Sequence, residues 1–241
     1  MTAALLFVAA ILGGAIAALS GFGIGSVLTP LLALSVGTKP AVVAVSIPHL
    51  VATAIRFWNL RHKLDRQLLK HFGIASAAGG LLGAWLGSRF SSPILAYILG
   101  GLLVFAGFMG LTGLSKKMRF GKKIAWLGGA LSGLLGGLVG NQGGIRSAAM
   151  LGFNLEAKTF VATATAIALI VDGARMPIYF FTSPETVHRL AALIAIMVAG
   201  VTIGTLAGGR ILARIPEAYF RKLVSLLIFA LGIVMLSSVA K

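Results

Sequence analysis

An all-α integral membrane protein is the fold class this sequence predicts, on three observations. Of its 241 residues 58% are hydrophobic and only 11% are charged, giving a mean hydropathy of +1.00. A soluble domain carries about 25% charged residues. Apolar stretches near the ~20 residues needed to cross a bilayer recur from end to end, with no room between them for a soluble catalytic domain. Most of the 21 lysines and arginines fall in the short loops between those stretches, against five acids in the whole chain. A net charge of +16 would suggest a nucleic-acid partner in a soluble chain. In a membrane chain it is the positive-inside pattern, and no nucleic acid is expected.

Apolar runs read against charged breaks give ten segments: 3–19, 26–37, 40–58, 72–88 and 93–114, then 125–139, 145–154, 158–175, 190–208 and 219–239. All should be helical, because lipid leaves an open sheet edge unsatisfied. Met1–Leu19 lacks a basic leader and reads as a first span rather than a cleaved signal. The second and seventh segments are too short to cross. Each directly follows a glycine-rich break, Gly21-Phe-Gly-Ile-Gly25 or Gly140-Asn-Gln-Gly-Gly144, and reads as a half-helix or re-entrant piece.

The two halves read as repeats of four to five segments each. Arg56 and Arg175 stand 119 residues apart, and the same offset relates Gly21 to Gly140, Gly25 to Gly144 and Lys39 to Lys158. The stripe Gly79, Gly83, Gly87 with Arg89 recurs as Gly200, Gly204, Gly208 with Arg210, and each is followed by a proline, Pro93 or Pro216. The organisation expected is a first transmembrane repeat over 1–115, a basic linker over 116–123 and a second repeat over 124–241. The basic linkers 61–71, 116–123 and 210–222 should face the cytoplasm, whereas 182–189, the counterpart of 61–71, is nearly neutral. Equivalent loops on opposite sides imply inverted repeats; if the breaks are only kinks, the halves are parallel. Inverted halves place a ligand near the midplane, between discontinuous helices.

The residues that carry chemistry sit beside the breaks. A guanidinium at membrane depth costs ~2.5–3.5 kcal/mol or more, so Arg56 and Arg175 should face protein or an aqueous cavity. Their planar forks suit oxyanions. Clustered glycine (Gly21, Gly23, Gly25, Gly143, Gly144) frees backbone amides ahead of a helix N-terminus, a natural anion receptor. Asn141 and Gln142 add uncharged donors. Arg146, one turn on, is either a further cation of the site or an interface residue. Asp172, three residues before Arg175, is either its ion-pair partner or a coupling site. His49 is the lone titratable group deep in the first half and is either a packing residue or a coupling site. The stripes at 79–87 and 200–208 read as close helix crossings instead.

The runs Ser20–Leu32 (SGFGIGSVLTPLL) and Gly137–Leu151 (GLVGNQGGIRSAAML) resemble the sulfite exporter TauE/SafE family of membrane permeases. The likeness covers nearly the whole chain in size, duplication and basic central loop. This sequence departs from the family's denser glycine cluster and proline at Ile24, at Asn141-Gln142, and at Ala149 opposite Pro30. The resemblance implies a secondary transporter, an exporter, of a small anion such as sulfite or an organosulfonate, in the cell membrane.

The alternatives are an anion channel and a membrane scaffold. An enzyme is not expected: aspartyl chemistry needs two deep acids where only Asp172 is available, and His62, His71 and His188 are scattered in loops. With no cysteine there is no thiolate site, and neither a metal nor a cofactor is expected. The expected partners are the anion, the lipid bilayer and a second copy in a homodimer.

Overall fold

The structure is a computed structural model and describes residues 2–114, 122–141, 143, 146–147, 150, 153, 155–208 and 217–239. Residues 116–121 of the expected linker, Gln142, Gly144 and most of the segment expected at 145–154 lie outside them. The described helices are α1 (Ala3–Ser20), α2 (Ile24–Val36), α3 (Thr38–Leu60), α4 (Arg66–Arg89), α5 (Ser92–Thr112), α6 (Lys122–Val139), α7 (Ala157–Thr182), α8 (Pro184–Arg189), α9 (Ala191–Ile203) and α10 (Glu217–Val239). A 3₁₀ turn, Arg61–Lys63, joins α3 to α4, and α9 runs into a π turn at Gly204–Gly208. No strand occurs among the described residues.

Local chemistry sets most of the ends. Thr2 and Asp65 cap α1 and α4 by accepting the amides of Leu5 and Leu68, and Pro93 opens α5 in a first turn that needs no amide. Two spans outrun their expected ends. α3 runs to Leu60, two residues beyond the expected 58, and α7 continues seven residues past its expected end at Arg175 to Thr182. A charge ends a span only if it must reach water. Arg56 and Arg175 are buried within the protein, at 3% and 1% exposure, so the helices have no reason to stop there.

The polarity of the molecule is inverted relative to a soluble protein. Leu5, Leu12, Phe105, Phe108, Leu127, Phe181 and Leu223 face outward, whereas Arg56, Arg146, Asp172 and Arg175 lie inside. Four helical stretches are long and apolar enough to cross a bilayer, namely Ala3–Ser20, Thr38–Lys63, Ser92–Thr112 and Lys158–Thr182. The outward apolar surface and these stretches make the chain a membrane-embedded protein.

Glycine decides which helices touch. Along α4 and α6, added Cβ atoms on Gly79, Gly83, Gly133 and Gly137 would fall on the carbonyl oxygens of Ala130, Leu134, Ser76 and Gly80. The two backbones are in direct contact over three turns, and the rising numbers on both sides make them parallel. α1 and α9 meet in the same manner: Gly200 lies against Phe7 and Ala10, and Gly204 against Ile11 and Ala15. In lipid such close approach replaces the missing hydrophobic drive for helix association. The two stripes read from the sequence as crossings are crossings.

Two other pairs run antiparallel. Gly100 packs on Gly232, Gly107 on Phe229 and Gly110 on Ser225 between α5 and α10. Ser46 meets Met176, and His49 meets Asp172, between α3 and α7. One end of the bundle therefore gathers the Arg61–Lys63 turn and the start of α4, the start of α7 (Asp65 amide on Thr163, 3.0 Å), the start of α6 (His71 ring against Trp126) and the start of α10. α8 lies at the opposite end. At the centre, α1 and α6 both stop short and turn.

Candidate functional site

α1 and α6 end in the same conformation. Gly21 and Gly140 adopt φ of 76° and 70°, a region L residues rarely enter, and their amides close on Ala17 and Gly136 four residues back. The two breaks then meet. Gly25, in the first turn of α2, has no room for a Cβ because the carbonyl of Gly140 occupies that place, and Gly143 sits against the Phe22 side chain. Gly23, at φ 132°, precedes α2. Ser26 Oγ donates to Asn141 Oδ1 at 3.0 Å, a buried hydrogen bond between the two breaks. The structure thus brings Gly21, Gly23, Gly25, Asn141 and Gly143 together; Gln142 and Gly144 fall outside the described residues.

A helix that stops inside the protein leaves carbonyls to be satisfied. At the end of α6, Arg175 Nη1 donates to the Gly136 carbonyl at 2.6 Å, and the Tyr179 hydroxyl donates to that of Gly137. At the end of α1, Arg146 Nη2 donates to the Gly21 carbonyl at 3.1 Å. Each broken end, the negative pole of its helix, is met by a cation.

The three buried arginines differ in how fully they are used. Every nitrogen of Arg175 has a partner: Nε and Nη2 donate to Asp172 Oδ1 at 3.1 and 2.7 Å, and Nη1 donates to the Gly136 carbonyl. Asp172 is itself shared, its Oδ2 accepting from His49 Nδ1 at 2.6 Å. That contact fixes the proton of a neutral His49 on Nδ1, because a carboxylate only accepts. Asp172 and His49 therefore both sit in the Arg175 cluster.

Arg56 and Arg146 are half used. Arg56 Nη2 donates to Thr53 Oγ1 at 3.2 Å, and Arg146 Nη2 to Gly21, but Nε and Nη1 of both are buried without a hydrogen-bond partner. Among the described residues neither makes an ion pair. The two guanidiniums lie within electrostatic range of one another and of Asp172. The Oγ atoms of Ser147 and Thr165 are also buried and unpartnered.

These groups converge. Gly21, which Arg146 holds, packs on Val161 and Ala164 of α7. The antiparallel register of α3 and α7 that pairs Ser46 with Met176 and His49 with Asp172 brings Thr165 to the level of Arg56. The two half-satisfied cations and Thr165 thus lie along the part of the α3–α7 pair that packs on the first break, and Ser147 follows Arg146 in the chain. The guanidinium nitrogens can only donate, whereas the hydroxyls can donate or accept, and a buried donor left unmade costs about 1–3 kcal/mol, more when charged. Such a set can receive an acceptor that brings negative charge.

Sequence reasoning singles out every one of these cations but not the hydroxyls. Thr53, Thr165 and Ser147 carry no signal within apolar runs; only the register of α3 on α7 reveals Thr165. Ser26 and Tyr179, which steady the breaks, are silent in the sequence for the same reason.

The model of the family described as Sulfite exporter TauE/SafE matches residues 6–235 of the chain. No curated protein and no solved structure matches it.

Proposed function

The chain belongs to the sulfite exporter TauE/SafE family, and on that premise we propose that it is a secondary transporter exporting a small oxyanion, sulfite or an organosulfonate, across the cell membrane. The anion binds between Arg56 and Arg146, with the hydroxyls of Thr165 and Ser147 as further donors and the two breaks, at Gly21, Gly23 and Gly25 and at Gly140 and Gly143, forming the wall. Asn141, bonded to Ser26, helps to shape that wall. Arg175 stays with Asp172 and His49 and holds the second break in position. The observation that carries this reading is the pair of buried guanidiniums with unpartnered nitrogens. Such cations cost several kcal/mol each unless a charge answers them.

The halves 1–115 and 124–241, joined by the basic linker, act as inverted repeats. Support comes from the packing, which survives exchange of the halves. α4 on α6 exchanges with α9 on α1, while α3 on α7 and α5 on α10 each pair a helix with its own counterpart, and both of those pairs are antiparallel. A two-fold axis in the membrane plane requires that antiparallel relation; an axis along the normal would make counterparts parallel.

The basic end of the bundle faces the cytoplasm. Because the chain has no cysteine, single replacements report sidedness directly. Lys63→Cys should be blocked from an impermeant maleimide added outside intact cells, and Glu185→Cys should label. The reverse pattern would overturn this orientation.

Transport is tested in proteoliposomes loaded with sulfite. Wild-type flux should saturate with concentration, and Arg146→Gln and Arg56→Gln should each lower it by 100-fold or more. Unsaturable chloride conductance would identify a channel instead. Flux unaffected by either replacement would place the anion elsewhere.

A further inference from the structure

We infer that the site accepts one oxyanion carrying two negative charges and discriminates against singly charged anions of the same shape, an inference that rests on the anion site proposed above. It follows from which charges are answered inside the protein. Among the described residues the buried ionic groups are Arg56, Arg146, Arg175 and Asp172, with His49 as the one buried imidazole. Asp172 is engaged on one oxygen by two nitrogens of Arg175 and on the other by His49. Its direct contacts go to Arg175 and His49, and among the described residues it makes no ion pair with Arg56 or Arg146. Three guanidiniums against one carboxylate leave two positive charges, and both sit on the arginines whose nitrogens lack partners.

A singly charged anion would leave one of these cations buried and unanswered, at the cost of several kcal/mol that isolated ions carry in a low dielectric. A doubly charged anion answers both. It also loses about four times as much solvation on entering, since the Born cost scales with the square of the charge, so only a doubly cationic site repays it. The donor count points the same way. Nε and Nη1 of each arginine with the Thr165 and Ser147 hydroxyls offer six donor atoms, matching the lone pairs of a compact three-oxygen anion better than those of a halide. On the α4 side, Asp65, whose amide meets Thr163 Oγ1, accepts the Leu68 amide with its carboxylate. α2 contains no ionisable residue, and α9 contains none between Ala191 and Ile203.

Sulfite and chlorate supply the test, because both are pyramidal three-oxygen anions and differ by one charge. Binding to protein in nanodiscs is measured by calorimetry in alkaline buffer, where sulfite carries both charges and a histidine carries none. Sulfite should bind at least ten times more tightly than chlorate. Arg56→Gln and Arg146→Gln, each leaving one free cation, should weaken sulfite and bring the ratio to one or below; Arg56→Lys, which keeps the charge, should preserve the preference. Equal wild-type affinities, or a ratio unchanged in both glutamine variants, would overturn the inference while leaving the anion site standing. Binding of neither anion would overturn the site and the inference together. The wild-type ratio decides the matter even if a variant fails to fold.

Discussion

Replacing Asp172 by asparagine should destabilise the protein more than any other single charge change. Asp172 is fully buried and accepts from Arg175 and His49. Its loss leaves Arg175 as a third unanswered guanidinium in the same region. Removing one partner of a buried pair costs about 3–5 kcal/mol, a large part of the 5–15 kcal/mol that holds a typical protein together. The damage should be local in cause and global in effect, because Arg175 also holds the carbonyl of Gly136 at the second break. Thermal unfolding in detergent measures it, and Asp172→Asn/Arg175→Gln should regain most of the loss. A single variant that unfolds at the wild-type temperature would mean the ion pair is not what neutralises Arg175.

The same reasoning inverts the sign at the other two arginines. Arg56 and Arg146 are buried as deeply as Arg175, yet among the described residues neither makes an ion pair. Without substrate, Arg56→Gln should leave stability unchanged or raise it while abolishing flux. Strain that persists because function uses it is the usual exchange of stability for activity. On the proposed site, three arginines of equal burial separate into one that holds the fold and two that bind the anion.

That separation marks the boundary of what is legible in the sequence. Composition and hydropathy identify a helical membrane protein, and the spacing of Gly79, Gly83 and Gly87 identifies a crossing, because each property is local or periodic. The breaks are legible because adjacent glycines have no packing reason to cluster. Which cation is free is not, since Arg56 and Arg175 stand at equivalent places with equally apolar neighbours. The difference lies in Asp172, one turn before Arg175, where the first half has Thr53. The sequence offers that carboxylate as an ion-pair partner, but its second oxygen and its link to His49 depend on the register between α3 and α7. The true end of α7 is hidden for a related reason: along a sequence, a charge looks like the end of burial.

Valine at Gly83 should cost nearly as much as the loss of Asp172, by pure sterics. A Cβ there would land on the Leu134 carbonyl with its Cα close behind, and neighbouring contacts repeat at Gly79, Gly133 and Gly137. What blocks the new atom is backbone in every case, so no side chain can rotate away. The helices must part, and parting them opens the whole α4–α6 seam. Overpacking typically costs ~1–3 kcal/mol, and a seam of touching backbones belongs at or above the top of that range. The effect should reach function, because α6 ends at Gly140 and carries the second break directly on the seam. Gly101→Ala is the matched control: it too adds a Cβ to a helical glycine, but into open space, where it should stabilise by up to ~1 kcal/mol through helix propensity. Unfolding temperatures of the two variants, measured side by side, should therefore move in opposite directions, and a Gly83→Val protein as stable as the control would show that α4 and α6 do not touch along this face.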